Sequence, residues 1–345
     1  MADTLGERAR SAEAPARTDA ALELEGLTKS YAIGRLGRRQ LVRVLAGIDL
    51  SVAKGEVLGV VGESGSGKTT LARVVSYLER PSGGTIKVGG RTLARRPSQR
   101  ELRRHRSQVQ MIFQDPYTSL DPLRSIAATL ASPLRSFSGL SPAARAKRRE
   151  ELLEMVGLVP PREFLGRYPY QLSGGQRQRV GIARALAADP MLILADEPTS
   201  MLDVSIRLNI MNLLLDLQRE RGLSLVFITH DLAGAHYMSD RIAIMYAGHL
   251  LEVGPAEAVM ATPAHPYTQL LREAAPDPAS GFARGRRLKV KGEPPDLTRP
   301  PSGCPFGPRC RFVTSVCQAE LPQWRDLGGG HRVRCVLYEP NGAKS

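Results

Sequence analysis

Short runs of apolar residues recur along this chain and predict strands. The runs at residues 56–61 (EVLGVV), 109–113, 191–195 (MLILA) and 223–228 are continuous and largely aliphatic, which is typical of strands buried on both faces of a sheet. Residues 22–27 and 41–52 instead alternate between apolar and polar positions, and residues 85–88 lead into a Gly-Gly turn. A last strand pair is predicted around Ala247 and Gly248. The opening of the chain is therefore expected to be rich in strands.

Helical spacing fills most of the intervals between the continuous runs. Residues 71–78 and 232–239 show it, and residues 204–221 carry one apolar stripe. The stripe consists of Ile206, Ile210, Leu213, Leu214 and Leu217. Residues 123–189 form a helical insert with predicted breaks at Pro133, Pro142, Pro160 and Pro161. Because strands and helices alternate after residue 56, the sequence predicts an α/β fold with a mainly parallel sheet.

The turn after the run at residues 56–61 has the pattern of a phosphate-binding loop. It fits G-x-x-x-x-G-K-[S/T] between a predicted strand and a predicted helix, where backbone N–H groups point towards an anion. Lys68 is expected to reach the β- and γ-phosphates of a nucleotide, and the Thr69 hydroxyl is expected to ligate Mg2+. The candidate nucleotide-binding residues of this loop are Gly62, Glu63, Ser64, Gly65, Ser66, Gly67, Lys68, Thr69 and Thr70.

Two adjacent carboxylates follow the run at residues 191–195. Asp196, at the predicted carboxyl end of a strand, can hold Mg2+ through water. Glu197 can orient or deprotonate an attacking water molecule. Many strands end in acidic residues, so this pair is a weak signal alone. Its order and distance after the phosphate-binding loop make it a strong one.

A second glycine-rich helix start occurs at residues 172–176, which read LSGGQ. Ser173 can cap the helix that follows, and glycines at a helix start favour anion binding. In a chain without a phosphate-binding loop, a simple glycine-capped turn would be the better interpretation. Two such sites far apart in one chain suggest that the second serves the nucleotide of another subunit. Its candidate residues are Ser173, Gly174, Gly175 and Gln176.

LSGGQ between a phosphate-binding loop and an acidic strand end resembles the signature of the ATP-binding cassette (ABC) family. The family's other motifs occur in order: Tyr31 lies where an aromatic residue stacks on adenine, Gln114 matches the Q-loop, Asp203 the D-loop and His230 the switch histidine. The resemblance covers residues 22–262. It implies ATP and Mg2+ as cofactors, with Gln114 joining Thr69 and Asp196 around the metal, and it implies ATP hydrolysis.

The same resemblance implies a fold and a division into domains. The fold is an α/β P-loop NTPase of the ABC cassette type, with a RecA-like core, a β-rich edge subdomain and a helical subdomain at about residues 115–189. We expect a disordered tail at residues 1–20, the cassette at residues 21–262 and a small cysteine-containing C-terminal domain at residues 263–345.

A finer resemblance is to the ATPase subunits of oligopeptide and dipeptide importers. It rests on QDPYTSL at residues 114–120, YPYQ at 168–171 and HPYT at 265–268. The D-loop departs from the family, because Met201 stands where the family usually has Ala. This bulkier residue puts communication across the dimer in question. Peptides are the expected substrate, and glutathione and nickel chelates stay open.

The importer resemblance implies a set of partners. A second ABC ATPase subunit, expected to be a different paralogous chain, would pair head to tail with this one. Ser173 and Gly175 of one subunit would close over the γ-phosphate bound by the other, where Glu197 activates water and His230 steadies the phosphate. Two transmembrane permease subunits would dock near residues 115–123, and an extracytoplasmic substrate-binding protein would deliver the substrate. The chain would then lie peripherally on the cytoplasmic face of the cell membrane.

Four cysteines cluster near the end of the chain. They are Cys304, Cys310, Cys317 and Cys335, separated by five, six and seventeen residues. These spacings lack the C-x2-C pairs of zinc ribbons and differ from those of ferredoxins. Four thiolates could hold zinc or an iron–sulfur cluster, or they could be free thiols. The resemblance favours a [4Fe-4S] cluster, since some importers of this type carry one on these cysteines.

Charge leaves one rival hypothesis. The 345-residue chain has 48 Lys and Arg against 34 Asp and Glu, a formal charge of +14, which permits a nucleic acid or an anionic membrane face as partner. A cassette ATPase acting on nucleic acid is disfavoured, because the chain has one phosphate-binding loop, no long heptad run and no aromatic platform for single strands. No nucleic acid partner is therefore expected.

The sequence also shows no signal peptide and no run of about 18 apolar residues.

Overall fold

Two sheets and the helices around them make up the part of the chain that the computed structural model describes, namely residues 20–34, 40–274, 295–296, 298 and 300–339. The strands are β1 (Ala20–Ile33), β2 (Gln40–Ala53), β3 (Val57–Val61), β4 (Gly83–Val88), β5 (Arg91–Thr92), β6 (Val109–Ile112), β7 (Leu192–Asp196), β8 (Ser224–Thr229), β9 (Arg241–Tyr246), β10 (His249–Pro255), β11 (Arg325–Asp326) and β12 (Arg332–Val333). The α-helices are α1 (Lys68–Val75), α2 (Gln99–Gln108), α3 (Pro116–Ser119), α4 (Ile126–Phe137), α5 (Pro142–Met155), α6 (Pro161–Leu165), α7 (Gly174–Leu186), α8 (Val204–Arg221), α9 (Leu232–Met238), α10 (Ala256–Ala261), α11 (Pro266–Ala274) and α12 (Ser315–Ala319).

The larger sheet has eight strands in the order β11-β12-β10-β9-β3-β8-β7-β6. Its five strands from β9 to β6 are parallel, and β10, β12 and β11 extend it with antiparallel pairings. The smaller sheet, in the order β2-β1-β4-β5, is antiparallel. The predictions of a β-rich opening and a mainly parallel sheet are thus confirmed.

The parallel strands determine where the predicted site residues meet. The phosphate-binding loop follows β3, Gln114 follows β6, Asp196 ends β7 and His230 follows β8. Parallel strands of one sheet all have their carboxyl ends at the same edge, and ligands bind at that edge in open α/β folds. Four motifs that are far apart in the sequence therefore lie together.

Both faces of the large sheet are covered. Ile193, Leu225 and Phe227 pack against the helical insert and α8 on one face. On the opposite face, Leu194 and Ile228 pack against α1, which also contacts the smaller sheet. Alternate residues of one strand thus enter two different cores, which explains why these strands are continuous apolar runs rather than alternating ones.

The prolines of the helical insert act in two ways. Pro142 and Pro161 are the first residues of α5 and α6, where the missing N–H group has no partner to lose. The break predicted at Pro133 is wrong, because this residue lies inside α4. The neighbouring Leu130 and Leu134 are almost completely buried, and their packing holds the helix across the proline.

The described residues of the C-terminal segment, namely 263–274, 295–296, 298 and 300–339, include a strand that pairs with the edge of the large sheet. Strand β12 pairs with β10 through Glu252 opposite Val333. The Glu252 carboxylate is fully buried and accepts hydrogen bonds from Thr268 Oγ1 at 2.6 Å, from His331 Nε2 at 2.7 Å and from two backbone N–H groups of the α10–α11 connection at 2.8 Å. A buried carboxylate with this many donors is well compensated for its lost hydration.

This segment shares a core with the cassette. The rings of Tyr267 and Phe306 pack on Tyr246 of β9, with centroids 4.6 and 5.4 Å away. Residues 275–294 of the predicted C-terminal domain lie outside the described residues, as does the predicted tail at 1–20 apart from Ala20, which begins β1. Within the described ranges, no helix combines the length and the apolar character needed to cross a bilayer.

Candidate active site at the carboxyl edge of the large sheet

The phosphate-binding loop forms one wall of a cavity of about 750 Å³. Gly67 precedes α1 with φ of 103°, a left-handed conformation that favours glycine, and a Cβ atom there would lie 2.8 Å from the Val44 carbonyl oxygen. The cavity is lined by Val44, Glu63, Ser64, Gly65, Gly67, Lys68, Thr69, Thr70, Gln114, Glu197, His230 and Leu271. Its volume is in the range of small-ligand and cofactor sites.

Lys68 is the buried cation of this cavity. Its Nζ donates hydrogen bonds to the carbonyl oxygens of Gly62 at 2.7 Å and Glu63 at 2.9 Å. Burial lowers the pKa of Lys68, and the nearby Glu197 and Asp196 carboxylates act against that shift. Ser66 Oγ is buried without a hydrogen-bond partner among the described residues. Ser66 is not among the described residues that line the cavity, whereas the Lys68 ammonium, bonded to two carbonyl oxygens, lies in its lining and fits an incoming phosphate.

Thr69 and Asp196 lie together at the base of the loop. Thr69 Oγ1 donates a hydrogen bond to Asp196 Oδ1 at 3.1 Å. Burial raises the pKa of Asp196, while its hydrogen bond with Thr69 opposes the rise. A hydroxyl and a carboxylate are oxygen ligands of the kind that Mg2+ prefers. The third predicted ligand, Gln114, instead donates from Nε2 to Glu197 Oε2 at 3.1 Å.

The Glu197 carboxylate lies between Gln114 and His230. Glu197 has φ of 43°, in the left-handed region, and its N–H group bonds the Ile228 carbonyl oxygen at 2.9 Å. Its Oε2 atom is 3.2 Å from Nδ1 of His230, whose side chain is 60% exposed. Backbone strain of this kind persists where the surroundings enforce it and is common at active sites. The strained turn places the Glu197 carboxylate in the lining of the cavity.

The LSGGQ residues lie elsewhere. Ser173 Oγ accepts a hydrogen bond from the Gln176 N–H group at 3.2 Å, and Gln176 Oε1 accepts one from the Ser173 N–H group at 3.0 Å, which forms a capping box at the start of α7. Ser173 is exposed, and none of residues 173–176 is among the described residues that line the cavity. The helix start therefore faces outwards.

The predicted residues Tyr31 and Asp203 also lie outside the cavity lining, as do Gly62, Ser66 and Asp196. The Tyr31 hydroxyl donates a hydrogen bond to Glu79, and Lys29 Nζ is 4.7 Å from its ring centroid, so adenine stacking by this ring stays a prediction. Asp203 precedes α8 without capping it through its side chain. Met201 is 60% exposed in the same loop.

The four cysteines line one small cavity of about 10 Å³ next to His265. Burial raises the pKa of Cys304 to about 12 and that of Cys335 to about 11, which favours the thiol form. Among the residues described, no three or more His, Cys, Asp or Glu side chains are arranged to hold a metal ion. The arrangement of these side chains thus gives the predicted metal site no support.

The sequence did not predict Val44 and Leu271 in the cavity lining, nor two residues that contact Glu63 of the phosphate-binding loop. The Tyr267 hydroxyl accepts a hydrogen bond from the Glu63 N–H group at 2.8 Å, and Arg309 forms an ion pair with the Glu63 carboxylate at 2.7 Å. Both come from the C-terminal segment. The HPYT stretch at residues 265–268 was the available signal for Tyr267, but nothing in its pattern links it to a loop two hundred residues earlier.

Close packing at Gly175 leads to a stability prediction. A Cβ atom there would lie 2.8 Å from Cγ2 of Ile206, whose branched side chain has little freedom to move. We expect Gly175→Ala to lower the free energy of unfolding by about 1–3 kcal/mol, as overpacking does. Adding Ile206→Ala to Gly175→Ala should recover part of this loss. Denaturant unfolding measures both.

Gly174→Ala is the matched control, since a Cβ atom there would meet Leu202 at an ordinary 3.5 Å. A Gly175→Ala chain as stable as Gly174→Ala would contradict the predicted contact.

Sequence and structure comparisons agree with this geometry. The model of the ABC transporter family matches residues 45–200, and that of the oligopeptide/dipeptide transporter C-terminal region matches residues 251–317. A relative from Sinorhizobium fredii, described as a probable peptide ABC transporter ATP-binding protein, y4tS, is 44% identical over 94% of this chain and 92% of its own length. The oligopeptide transport ATP-binding protein AppF of Bacillus subtilis is 39% identical over 94% of this chain and 99% of its own.

Solved structures show the same cassette. The ATP-binding cassette MJ0796, in a dimeric post-hydrolysis state bound to ADP and Pi, is 32% identical and superimposes with a TM-score of 0.60 over 68% of this chain and 98% of its own. CbiO1 from Clostridium perfringens, part of the ABC transporter complex cbiONQ, is 27% identical with a TM-score of 0.61 over 71% of this chain and 92% of its own. The chain therefore belongs to the ATP-hydrolysing, ATP-binding subunits of the ABC transporter family.

Proposed function

We propose that this chain is the ATPase subunit of a peptide importer and works as one half of a head-to-tail pair. The observation that carries the proposal is the separation of two half-sites. The cavity is lined by Lys68, Thr69 and Glu197, and Asp196 is hydrogen-bonded to Thr69, whereas the capped helix start at Ser173 faces outwards. A second subunit, expected to be a paralogous chain, supplies the missing half. Peptides are favoured because the relatives are named for peptide transport and the C-terminal family region matches.

The residues of the cavity have separate tasks. Lys68 and the loop N–H groups bind the phosphates of ATP. Thr69 and Asp196 would hold Mg2+, which supplies positive charge against the triphosphate. Glu197 takes a proton from the water that attacks the γ-phosphorus, and ADP leaves as the bond between the β- and γ-phosphates breaks. His230 donates a hydrogen bond to the γ-phosphate. Tyr31 of β1 would stack on adenine, and Asp203 would contact the partner.

A groove beside the Q-loop is the proposed contact with the permease. Its volume is about 620 Å³, and it lies between β6 and the helical insert. Phe113, next to Gln114, and Ser119 line it, and the exposed side chain of Leu123 lies near it in sequence. A coupling helix in this groove would touch the segment that carries Gln114, so that nucleotide state and permease conformation are linked. The chain would then lie on the cytoplasmic face of the membrane.

Reconstitution tests the proposed substrate. Proteoliposomes that contain this chain, its companion ATPase and the two permease subunits should hydrolyse ATP faster when the substrate-binding protein is loaded with peptide than when it is empty. Stimulation by glutathione or by a nickel chelate in place of peptide would overturn the peptide assignment. An ATPase that is stimulated by DNA or RNA and does not associate with the permease would overturn the importer assignment.

We also propose a [4Fe-4S] cluster on Cys304, Cys310, Cys317 and Cys335. The support is the resemblance to importers that carry such a cluster on these cysteines, and the arrangement of the described side chains adds nothing to it. Protein purified without air should be brown and contain iron and acid-labile sulfide. A matched chain with Cys304→Ser and Cys335→Ser should contain neither. Colourless, iron-free wild-type protein prepared in this way would contradict the assignment.

A further inference from the structure

Glu63, the second residue of the phosphate-binding loop, is held through all its polar groups. Its N–H group donates to Tyr267 Oη at 2.8 Å. Its carboxylate accepts two hydrogen bonds from Arg309, at 2.7 Å to Oε2 and 3.0 Å to Oε1. Its carbonyl oxygen accepts from Lys68 Nζ at 2.9 Å. Two of these three attachments come from the C-terminal segment, 204 and 246 positions further along the chain.

Arg309 is itself firmly placed. Its side chain is 8% exposed, and its Nη1 atom also donates to Tyr246 Oη at 3.0 Å. The guanidinium carbon lies 5.7 Å from the ring centroids of both Tyr246 and Phe306. Arg309 ends a 3-10 turn whose first N–H group, at Gly307, bonds the Cys304 carbonyl oxygen at 2.9 Å. A bidentate ion pair of this kind fixes the orientation of the Glu63 carboxylate as well as balancing its charge, whereas a single hydrogen bond would leave it free to rotate.

The ion pair affects the nucleotide site because Glu63 also binds Lys68. A loop already held in one conformation loses less freedom when it binds phosphate, and affinity rises accordingly. Arg309 is not among the described residues that line the cavity, so it acts through Glu63 rather than on the ligand. We propose that Arg309 is a positioning residue for ATP binding, which braces the phosphate-binding loop from the C-terminal segment. The inference rests on ATP binding and is independent of the transported solute.

Arg309→Met tests the proposal, because it removes the charged guanidinium group and its two hydrogen bonds to Glu63 while keeping an unbranched apolar side chain. We expect the Kd for the Mg2+ complex of AMP-PNP, measured by titration calorimetry on the full chain, to rise about tenfold. The kcat at saturating ATP should change by less than about threefold, because bound triphosphate itself orders the loop. Amide exchange in residues 62–67 should become faster in the nucleotide-free protein.

Arg311→Met is the matched control in the same segment. Arg311 is exposed, lies over the ring of Phe312 and donates to Gln269 at 3.3 Å, and these contacts do not involve the loop. Its Kd and exchange rates should equal those of the wild type. Arg309→Lys keeps the positive charge but loses the paired hydrogen bonds of the guanidinium group. Its Kd should therefore lie between those of Arg309→Met and the wild type. A merely structural role would lower the melting temperature of Arg309→Met and leave the Kd of the folded protein unchanged.

Glu63→Gln weakens the same pair from the other side, because it removes the charge and one of the two acceptor oxygens, and it leaves the C-terminal segment untouched. Losing a negative charge near a triphosphate would by itself tighten binding, so weaker binding points to positioning. The double variant should bind no more weakly than either single variant, because both remove one interaction. If Arg309→Met does not fold, Glu63→Gln decides the question. A Kd within about twofold of the wild type in the folded variants would overturn the proposal.

Discussion

Glu197→Gln is expected to bind Mg·ATP as tightly as the wild type and to hydrolyse it about 10²- to 10⁴-fold more slowly, the range attributed to a general base. Binding should survive because the carboxylate contacts Gln114 and His230 rather than the phosphate-binding loop. The amide has the same shape and can still bond both neighbours, but it cannot take a proton from water. Phosphate release and nucleotide titration measure the two quantities separately.

Glu257→Gln is the control for this experiment. Glu257 also pairs with a histidine, His236 at 2.9 Å, but it is 83% exposed and comes from α10, away from the cavity lining. Its turnover should equal that of the wild type. Wild-type turnover in Glu197→Gln would remove Glu197 from the mechanism.

Ser173→Asp is expected to stop hydrolysis without harming the fold. Aspartate caps a helix as well as serine does, so the start of α7 should be kept. In a closed pair, however, its charge would face the γ-phosphate of the partner's ATP. Two like charges 4 Å apart repel by about 4 kcal/mol in a partly buried site, which corresponds to a loss of about a thousandfold in turnover. Steady-state ATPase activity measures the loss.

Ser173→Asn separates the charge from the size of the new side chain. Asparagine has the shape of aspartate and caps equally well, but it carries no charge. It should retain much more activity than Ser173→Asp, and both should bind ATP in the single chain as the wild type does. Equal turnover in the two variants would contradict the placement of Ser173 against a partner's phosphate.

Much of this site is predictable from the sequence because parallel strands determine it. Once the runs before Gly62, Gln114 and Glu197 are identified as buried parallel strands of one sheet, the residues at their carboxyl ends must share one edge. The capping box at Ser173 is equally local, since it depends on residues three positions apart. Both kinds of information are contained in short stretches of the chain.

The remaining features depend on packing between distant segments. Nothing near Pro133 shows that the cores around Leu130 and Leu134 hold α4 together across it. Likewise, no local pattern pairs Arg309 with Glu63. The cysteine spacings could not show whether the four thiols come close enough to bind metal, since that depends on how residues 300–339 fold onto the sheet.

Sedimentation of the Glu197→Gln chain with and without Mg·ATP tests the central claim most directly, namely that each cassette completes the nucleotide site of another. We expect a monomer without nucleotide and a dimer with it, either of this chain alone or with its companion ATPase subunit. Adding Ser173→Asp should return the complex to monomers while ATP stays bound. A chain that remains monomeric in saturating Mg·ATP, even with the companion subunit present, would contradict the claim.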